Sequence, residues 1–128
     1  MPSTPILVLR VTNVLFGLLA LGVGSASFGL LTYPVLDSTS GEHFMAAMGG
    51  LISVVMLGLA MTHFFVGAVL GPGRGRGAQT LLAVALVMTF PLGTIYALFA
   101  LWVCWANPET RQVLDGEKPL LPFARATA

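Results

Sequence analysis

His63, set in Met61-Thr62-His63-Phe64-Phe65, is the ionisable side chain whose position most invites chemistry, because apolar residues surround it on both sides. An imidazole at such a place can serve as an axial ligand to haem iron, a proton carrier or a counter-ion. His43 is the second histidine, and about 20 residues of helix would hold the two about 30 Å apart, so one chain cannot bring both to a single metal. A haem or quinone-associated redox subunit using His63 would need its second iron ligand from another chain. The plainer reading is a neutral His63 hydrogen-bonded to a helix neighbour, with His43 at the surface.

Other chemistry finds less to stand on. The single cysteine, Cys104, excludes an intrachain disulfide and any thiolate pair with zinc spacing, and reads as a small buried apolar thiol. Gly71-Pro72-Gly73-Arg74-Gly75-Arg76-Gly77 resembles a phosphate cradle in composition but lacks the Gly-x-x-x-x-Gly-Lys-[Ser/Thr] order and a preceding strand. It reads as a flexible, basic anchor against lipid headgroups through Arg74 and Arg76. No serine or cysteine has a base at helical spacing, and the apolar stretches after the first contain no Asp, Glu, Lys or Arg, so the chain is expected not to be an enzyme. With a formal net charge of +1 it also lacks the dense basic face that nucleic acid requires.

The elements that must hold these residues are three long apolar stretches, residues 6–31, 44–70 and 78–106. Hydrophobic residues make up 56% of the 128 and charged ones 9%, more apolar surface than a soluble core of this size can bury. Each stretch exceeds the roughly 20 residues that a helix needs to cross about 30 Å of hydrocarbon. The expected fold is therefore all-α, an integral membrane helical bundle over residues 1–106, followed by a short interfacial helix and tail over 107–128. Ser25-Ala26-Ser27 offers small residues of the kind a signal peptidase accepts, but the apolar run before it is longer than a signal h-region and is expected to remain as a span. Tyr33-Pro34 ends the first segment, and Asp37, Ser38, Thr39, Ser40, Gly41 and Glu42 form a polar connection. Asn107 can cap a helix with Pro108 at its first position and Glu109 near its positive end, running to about Leu114 and stopping at Asp115-Gly116. Leu120, Leu121 and Phe123 beyond it are apolar enough to dip into the headgroup layer.

Basic residues set the orientation. Arg10 precedes the first span, Arg74 and Arg76 follow the second, and the connection between them carries only Asp37, Glu42 and His43, which places the N-terminus in the cytoplasm. The third stretch has two readings. Pro91 removes a helical hydrogen bond and crowds the carbonyl of Val87, and Gly93 tolerates almost any backbone, so the helix breaks or kinks there. A full reversal makes four helices and puts every basic residue on one side, but leaves arms of only about 21 Å. A mere kink makes three spans and keeps Ala85, Thr89, Gly93 and Ala97 as one small-residue seam. Charge asymmetry favours the reversal. Around the break Thr89 and Thr94, and near the start Thr12 and Asn13, are placed to bond open backbone carbonyls.

Small residues also line the other helices. Gly17, Ala20 and Gly24, with Phe28, follow one face of the first segment, and Ala46, Gly50 and Gly58, with Val54, follow one face of the second. In lipid such seams let backbones approach closely, either within the chain or against a partner helix, most plausibly from the first segment. Trp102 and Trp105 mark a membrane interface, with their indole N–H groups toward water.

Pro91-Leu92-Gly93-Thr94, then Leu101-Trp102-Val103, then Asn107-Pro108-Glu109-Thr110-Arg111 resembles the last hydrophobic region of a group of small bacterial multispan membrane proteins that carry no assigned activity. In that group the region reads Pro-x-Gly-Thr, then Gly and Tyr, then Leu-Trp, and ends in Pro-Glu-Thr-Arg. Here Ala97 stands in place of the glycine and Phe99 in place of the tyrosine, which removes a hydroxyl. The resemblance implies a bacterial helical membrane protein and carries no activity across. Together these readings predict a non-catalytic accessory, scaffold or assembly subunit whose partners are lipid and other membrane subunits or itself. The alternative is a homo-oligomeric channel or small-solute transporter, for which Asn13, Thr62, Thr89 and Thr94 are the candidate pore-lining groups.

Overall fold

A computed structural model describes residues 4–33, 43–89 and 91–119. Among them the regular structure is all helical: α1 (Thr4–Ser27), continued by a π-helical turn (Phe28–Thr32); α2 (His43–Val69); α3 (Arg76–Leu86); α4 (Leu92–Leu101), continued by a second π-helical turn (Trp102–Ala106); and α5 (Pro108–Leu114). Two of these helices are long and apolar enough to cross a membrane, Thr4–Thr32 and His43–Val69, while Leu92–Ala106 is shorter. Leu120, Leu121, Phe123, Arg125 and the polar connection after Pro34 lie outside the described residues.

Helix ends follow local chemistry. α2 stops where residues 71–75 supply glycine in quick succession: Gly73 and Gly75 take φ of +69° and +86°, values that an L side chain rarely adopts. A Cβ on Gly75 would also press on the Leu70 backbone at 2.6 Å. The residues expected to form a flexible loop instead make a tight turn, in which Gly71 and Arg74 exchange backbone bonds of 3.2 and 3.1 Å and Gly73 N–H donates to the Val113 carbonyl. At the far end, Asn107 accepts from the N–H groups of Glu109 and Thr110, Pro108 occupies the first turn, and Gly116 at φ +82° ends the helix, as its sequence predicts.

The third apolar stretch reverses. α3 ends at Leu86, residues 87–89 begin a turn, and α4 runs back beside α3, bringing the Trp105 indole N–H to the Thr80 hydroxyl at 2.9 Å. Thr89 and Thr94 bond the carbonyls of Leu86 and Val87, each at 2.7 Å, and Gly93 N–H bonds the Thr89 carbonyl at 2.8 Å. Pro91 cannot continue α3, and a Cβ at Gly93 would run into the Thr89 hydroxyl and the Leu86 carbonyl, so both halves of the expected break are needed. The third stretch is therefore a helical hairpin rather than one kinked helix.

Compact packing divides the chain into two units, Met1–Asn13 with Phe65–Ala128, and Val14–Phe64, and α5 lies in the first. In the Val14–Phe64 unit the small residues of α1 face inward. A Cβ on Gly17 would meet the Phe64 ring at 2.6 Å and one on Gly24 would meet Met56 Cβ at 3.2 Å, while Ala20 is buried. Of the two packings that the seam allows, the one within the chain is thus present, with α2 as the neighbour.

On α2 the close approach belongs to Gly49, whose Cβ would strike Leu31 Cβ at 2.6 Å and Thr32 Oγ1 at 2.7 Å, and to Ser53. The stripe read from the sequence, Ala46, Gly50 and Gly58, falls beside it, and Gly58 has open space where a Cβ would stand. The reason is geometric. Four residues overshoot one helical turn by about 40°, so a strict four-residue stripe winds off a straight contact face, whereas alternating three and four stays on it.

Candidate functional site

Three amide or hydroxyl side chains from three helices close a hydrogen-bonded ring in the unit that contains residues 1–13 and 65–128. Asn13 of α1 donates from Nδ2 to Gln79 Oε1 of α3 at 2.8 Å, Gln79 donates from Nε2 to the Tyr96 hydroxyl of α4 at 2.7 Å, and Tyr96 donates back to Asn13 Oδ1 at 2.8 Å. Asn13 and Gln79 are wholly buried and Tyr96 is 3% exposed. Each residue both donates and accepts, so three polar groups that would each be costly to bury alone satisfy one another.

The ring has a direction. Turning both amides over and reversing the hydroxyl would give an equally closed ring of opposite sense. Asn13 Nδ2, however, also donates to the Leu9 carbonyl one helical turn back, at 3.1 Å. In the opposite sense Oδ1 would face that carbonyl, oxygen against oxygen, so α1's own backbone selects the observed arrangement. Space for Asn13 comes from Gly67 of α2, where a Cβ would approach Asn13 Cβ at 3.1 Å, and the Gly67 carbonyl accepts from Arg10 Nε at 3.1 Å.

A second polar cluster lies where α3 begins. The Arg76 guanidinium pairs with Asp115 at 2.7 Å, donates to the Arg111 carbonyl at 3.2 Å, and stands 5.1 Å from the centre of the Trp105 ring. Sequence reading takes Arg76 as an outward anchor and the Trp105 N–H as directed to water. Both are instead engaged within the chain, because the reversal of the third stretch brings Trp105 and α5 back over the start of α3. Arg74 and Trp102 are exposed. Thr110, fully buried on α5, bonds the Val103 carbonyl, which the second π-helical turn leaves open.

The remaining candidates occupy quieter places. His63 is fully buried in the Val14–Phe64 unit with its ring centre 5.6 Å from that of Phe16, and His43 is exposed. Cys104 is buried. Among the described residues no three His, Cys, Asp or Glu side chains come together as a metal-holding group. Of the polar groups considered for a pore, Thr62 bonds the Gly58 carbonyl, Thr89 and Thr94 bond carbonyls of the turn, and Asn13 is taken up by the ring. Gly24 and Gly50 line an open, mostly apolar groove of about 430 Å³ with Phe28 and Leu57, and Ser53 at its edge donates toward the Gly24 carbonyl at 2.9 Å.

What the arrangement does chemically is hold. The ring contains two amides and a phenol, none of them a nucleophile or base at neutral pH, and each is already engaged. Sequence reasoning placed Asn13 near a backbone carbonyl, which is right for Leu9, and missed Gln79 and Tyr96. The signal was present: an amide and a phenol inside apolar helices must find partners, and Asn13 was the complementary group available. Comparison with known proteins finds no family model that matches the chain, and no curated protein or solved structure that resembles it.

Proposed function

We propose that this chain is a multi-pass protein of the bacterial inner membrane with a non-catalytic job, an accessory, scaffold or assembly subunit of a larger membrane complex. One observation carries the membrane reading: polarity is inverted. Only 28% and 17% of the apolar windows of the two long helices are buried, whereas a core helix of a soluble protein is mostly covered. Leu18, Leu51, Met61 and Phe65 lie exposed while Asn13, Ser53, Gln79 and Thr110 are sealed inside. Such a surface calls for lipid as its solvent.

Charge supports the orientation. All six Lys and Arg residues fall in Met1–Asn13 or Phe65–Ala128, and none falls in Val14–Phe64, which contains Asp37 and Glu42. A reversal in the third stretch lets the N-terminus, the Arg74 turn and α5 share the cytoplasmic face. A scaffold is favoured over a channel because, among the described residues, Asn13, Thr62, Thr89 and Thr94 all bond groups of their own chain. A haem at His63 would have to open an imidazole packed against Phe16. The face left for a partner is the Ala46, Gly50 and Gly58 stripe of α2, where Gly58 meets nothing.

The test is twofold. The protein should stay with the membrane pellet through alkaline carbonate washing, and in mild detergent it should co-purify with specific membrane proteins identified by mass spectrometry. Gly58→Leu should leave the fold intact and abolish that co-purification. Release into the carbonate supernatant would refute the membrane reading, and a pure homo-oligomer would refute the accessory role.

A further inference from the structure

We infer that the α3–α4 hairpin is a re-entrant element: it enters one leaflet, ends near the bilayer midplane, and seats its apex among lipid acyl chains. The inference rests on the membrane reading and adds to it a topology that the charge pattern alone does not distinguish from a double crossing.

Length is the first argument. The long helices have 29 and 27 residues, or about 40 Å each, while α3 has 11 and α4 with its π-helical turn has 15, or about 16 and 22 Å. A hydrocarbon core of about 30 Å is beyond the reach of either arm. The base of the hairpin is fixed by Arg76 over Trp105 and by Trp105 on Thr80, a cation and an indole that belong at the headgroup level. From Arg76 to Met88 the chain descends about 18 Å, which is the depth of a single leaflet.

Charge placement is the second. Arg74 and Arg76 flank the hairpin on entry, and Glu109, Arg111, Asp115, Glu117 and Lys118 on exit, so charge stands at both flanks, as suits the headgroup layer, whereas the stretch between Arg76 and Glu109 has no charged residue. The outward side of the arms is apolar down to the tip, with Leu81 at 74%, Ile95 at 65% and Met88 at 88% exposure.

The turn itself is the third. A reversal in water can leave carbonyls to the solvent, but in hydrocarbon each must be answered from within. Thr89 answers Leu86, Thr94 answers Val87, and Ile95 N–H answers Pro91 at 3.1 Å. Two threonines closing a turn that contains a proline and a glycine equip it for depth.

The test uses the full chain in membrane vesicles with single cysteines at Met88, Val54 and Arg74, a membrane-impermeant maleimide applied to each face in turn, and peptide mapping that separates the new site from Cys104. Arg74→Cys should react from one face. Met88→Cys should react about tenfold more slowly than Arg74→Cys, or not at all, from either face, and a fluorophore attached there during purification should be quenched best by bromines deep in the acyl chains. Reaction of Met88→Cys from the face opposite Arg74 would show a complete crossing, and reaction from the same face would place the apex in water. Either overturns the inference. Val54→Cys reports on the membrane reading separately: ready labelling there would sink that reading itself, while protection at Val54 with labelling at Met88 would sink only the re-entrant hairpin.

Discussion

The two compact units hold their helices together by opposite means. In Val14–Phe64, α1 and α2 meet through missing side chains: Gly17 admits the Phe64 ring, Gly24 admits Met56, and Gly49 lies on Leu31 and Thr32. The gain there is dispersion between closely packed backbones, helped by the Ser53 and Thr32 hydroxyls reaching carbonyls across the contact. In the unit of residues 1–13 and 65–128, three helices are joined by a ring of side-chain hydrogen bonds and a fourth by the Arg76 cluster. The difference teaches that a short helix pair that lacks a long packing face draws on directed polar bonds, while two long helices can rely on shape.

That contrast can be broken at its strongest point first. Gly49→Leu places a side chain where even a Cβ meets Leu31 and Thr32, and unfolding in detergent should show a loss of about 3 kcal/mol. Gly50→Leu, one residue on, should lose far less, because only Thr32 Oγ1 stands near, at 3.9 Å. Equal losses would mean that the packing stripe is misplaced.

Opening the ring should come next. Gln79→Ala strips a partner from both Asn13 and Tyr96 and should destabilise by about 1–3 kcal/mol. A double-mutant cycle with Asn13→Ala should give a coupling of about 0.5–2 kcal/mol, since the Asn13–Gln79 bond can be lost only once. Replacing all three together, Asn13→Leu, Gln79→Leu and Tyr96→Phe, should be milder than the sum of the single changes. Additive losses would deny that the ring closes.

Smaller effects sharpen the picture. Asp115→Asn breaks an ion pair whose side chains are 19% and 40% exposed, so its loss should stay below about 1 kcal/mol and shrink in salt. Its clearer sign should be faster amide exchange in α5. Gly58→Ala should have the reverse sign, stabilising by under about 1 kcal/mol, because the new methyl meets open space and a helical glycine is removed.

Local chemistry was legible in the sequence wherever neighbours along the chain decide it. Asn107, Pro108 and Gly116 specify α5, and Pro91 with Gly93 and the two threonines specify the turn, because each acts on groups within about one or two turns. The ring was not legible as a ring, since its members lie 66, 17 and 83 residues apart and no periodicity pairs them. On α2 the sequence offers Gly49 and Gly50 alike, because both satisfy a small-residue rule, and only the neighbouring helix selects Gly49 for the contact with α1. The partners of Arg76 were not legible for a related reason: nothing near it along the chain announces Trp105 and Asp115, which the returning helix delivers.

Central to all of this is the outward apolar surface, and spin labels at Leu15, Val54 and Leu81 in lipid vesicles address it directly through collision with oxygen, which concentrates in acyl chains, and with a water-soluble nickel chelate, which does not. All three sites should collide often with oxygen and scarcely with nickel. Nickel accessibility equal to that of a label in the Arg74 turn would mean that these faces meet water, and the inverted architecture would have to be abandoned.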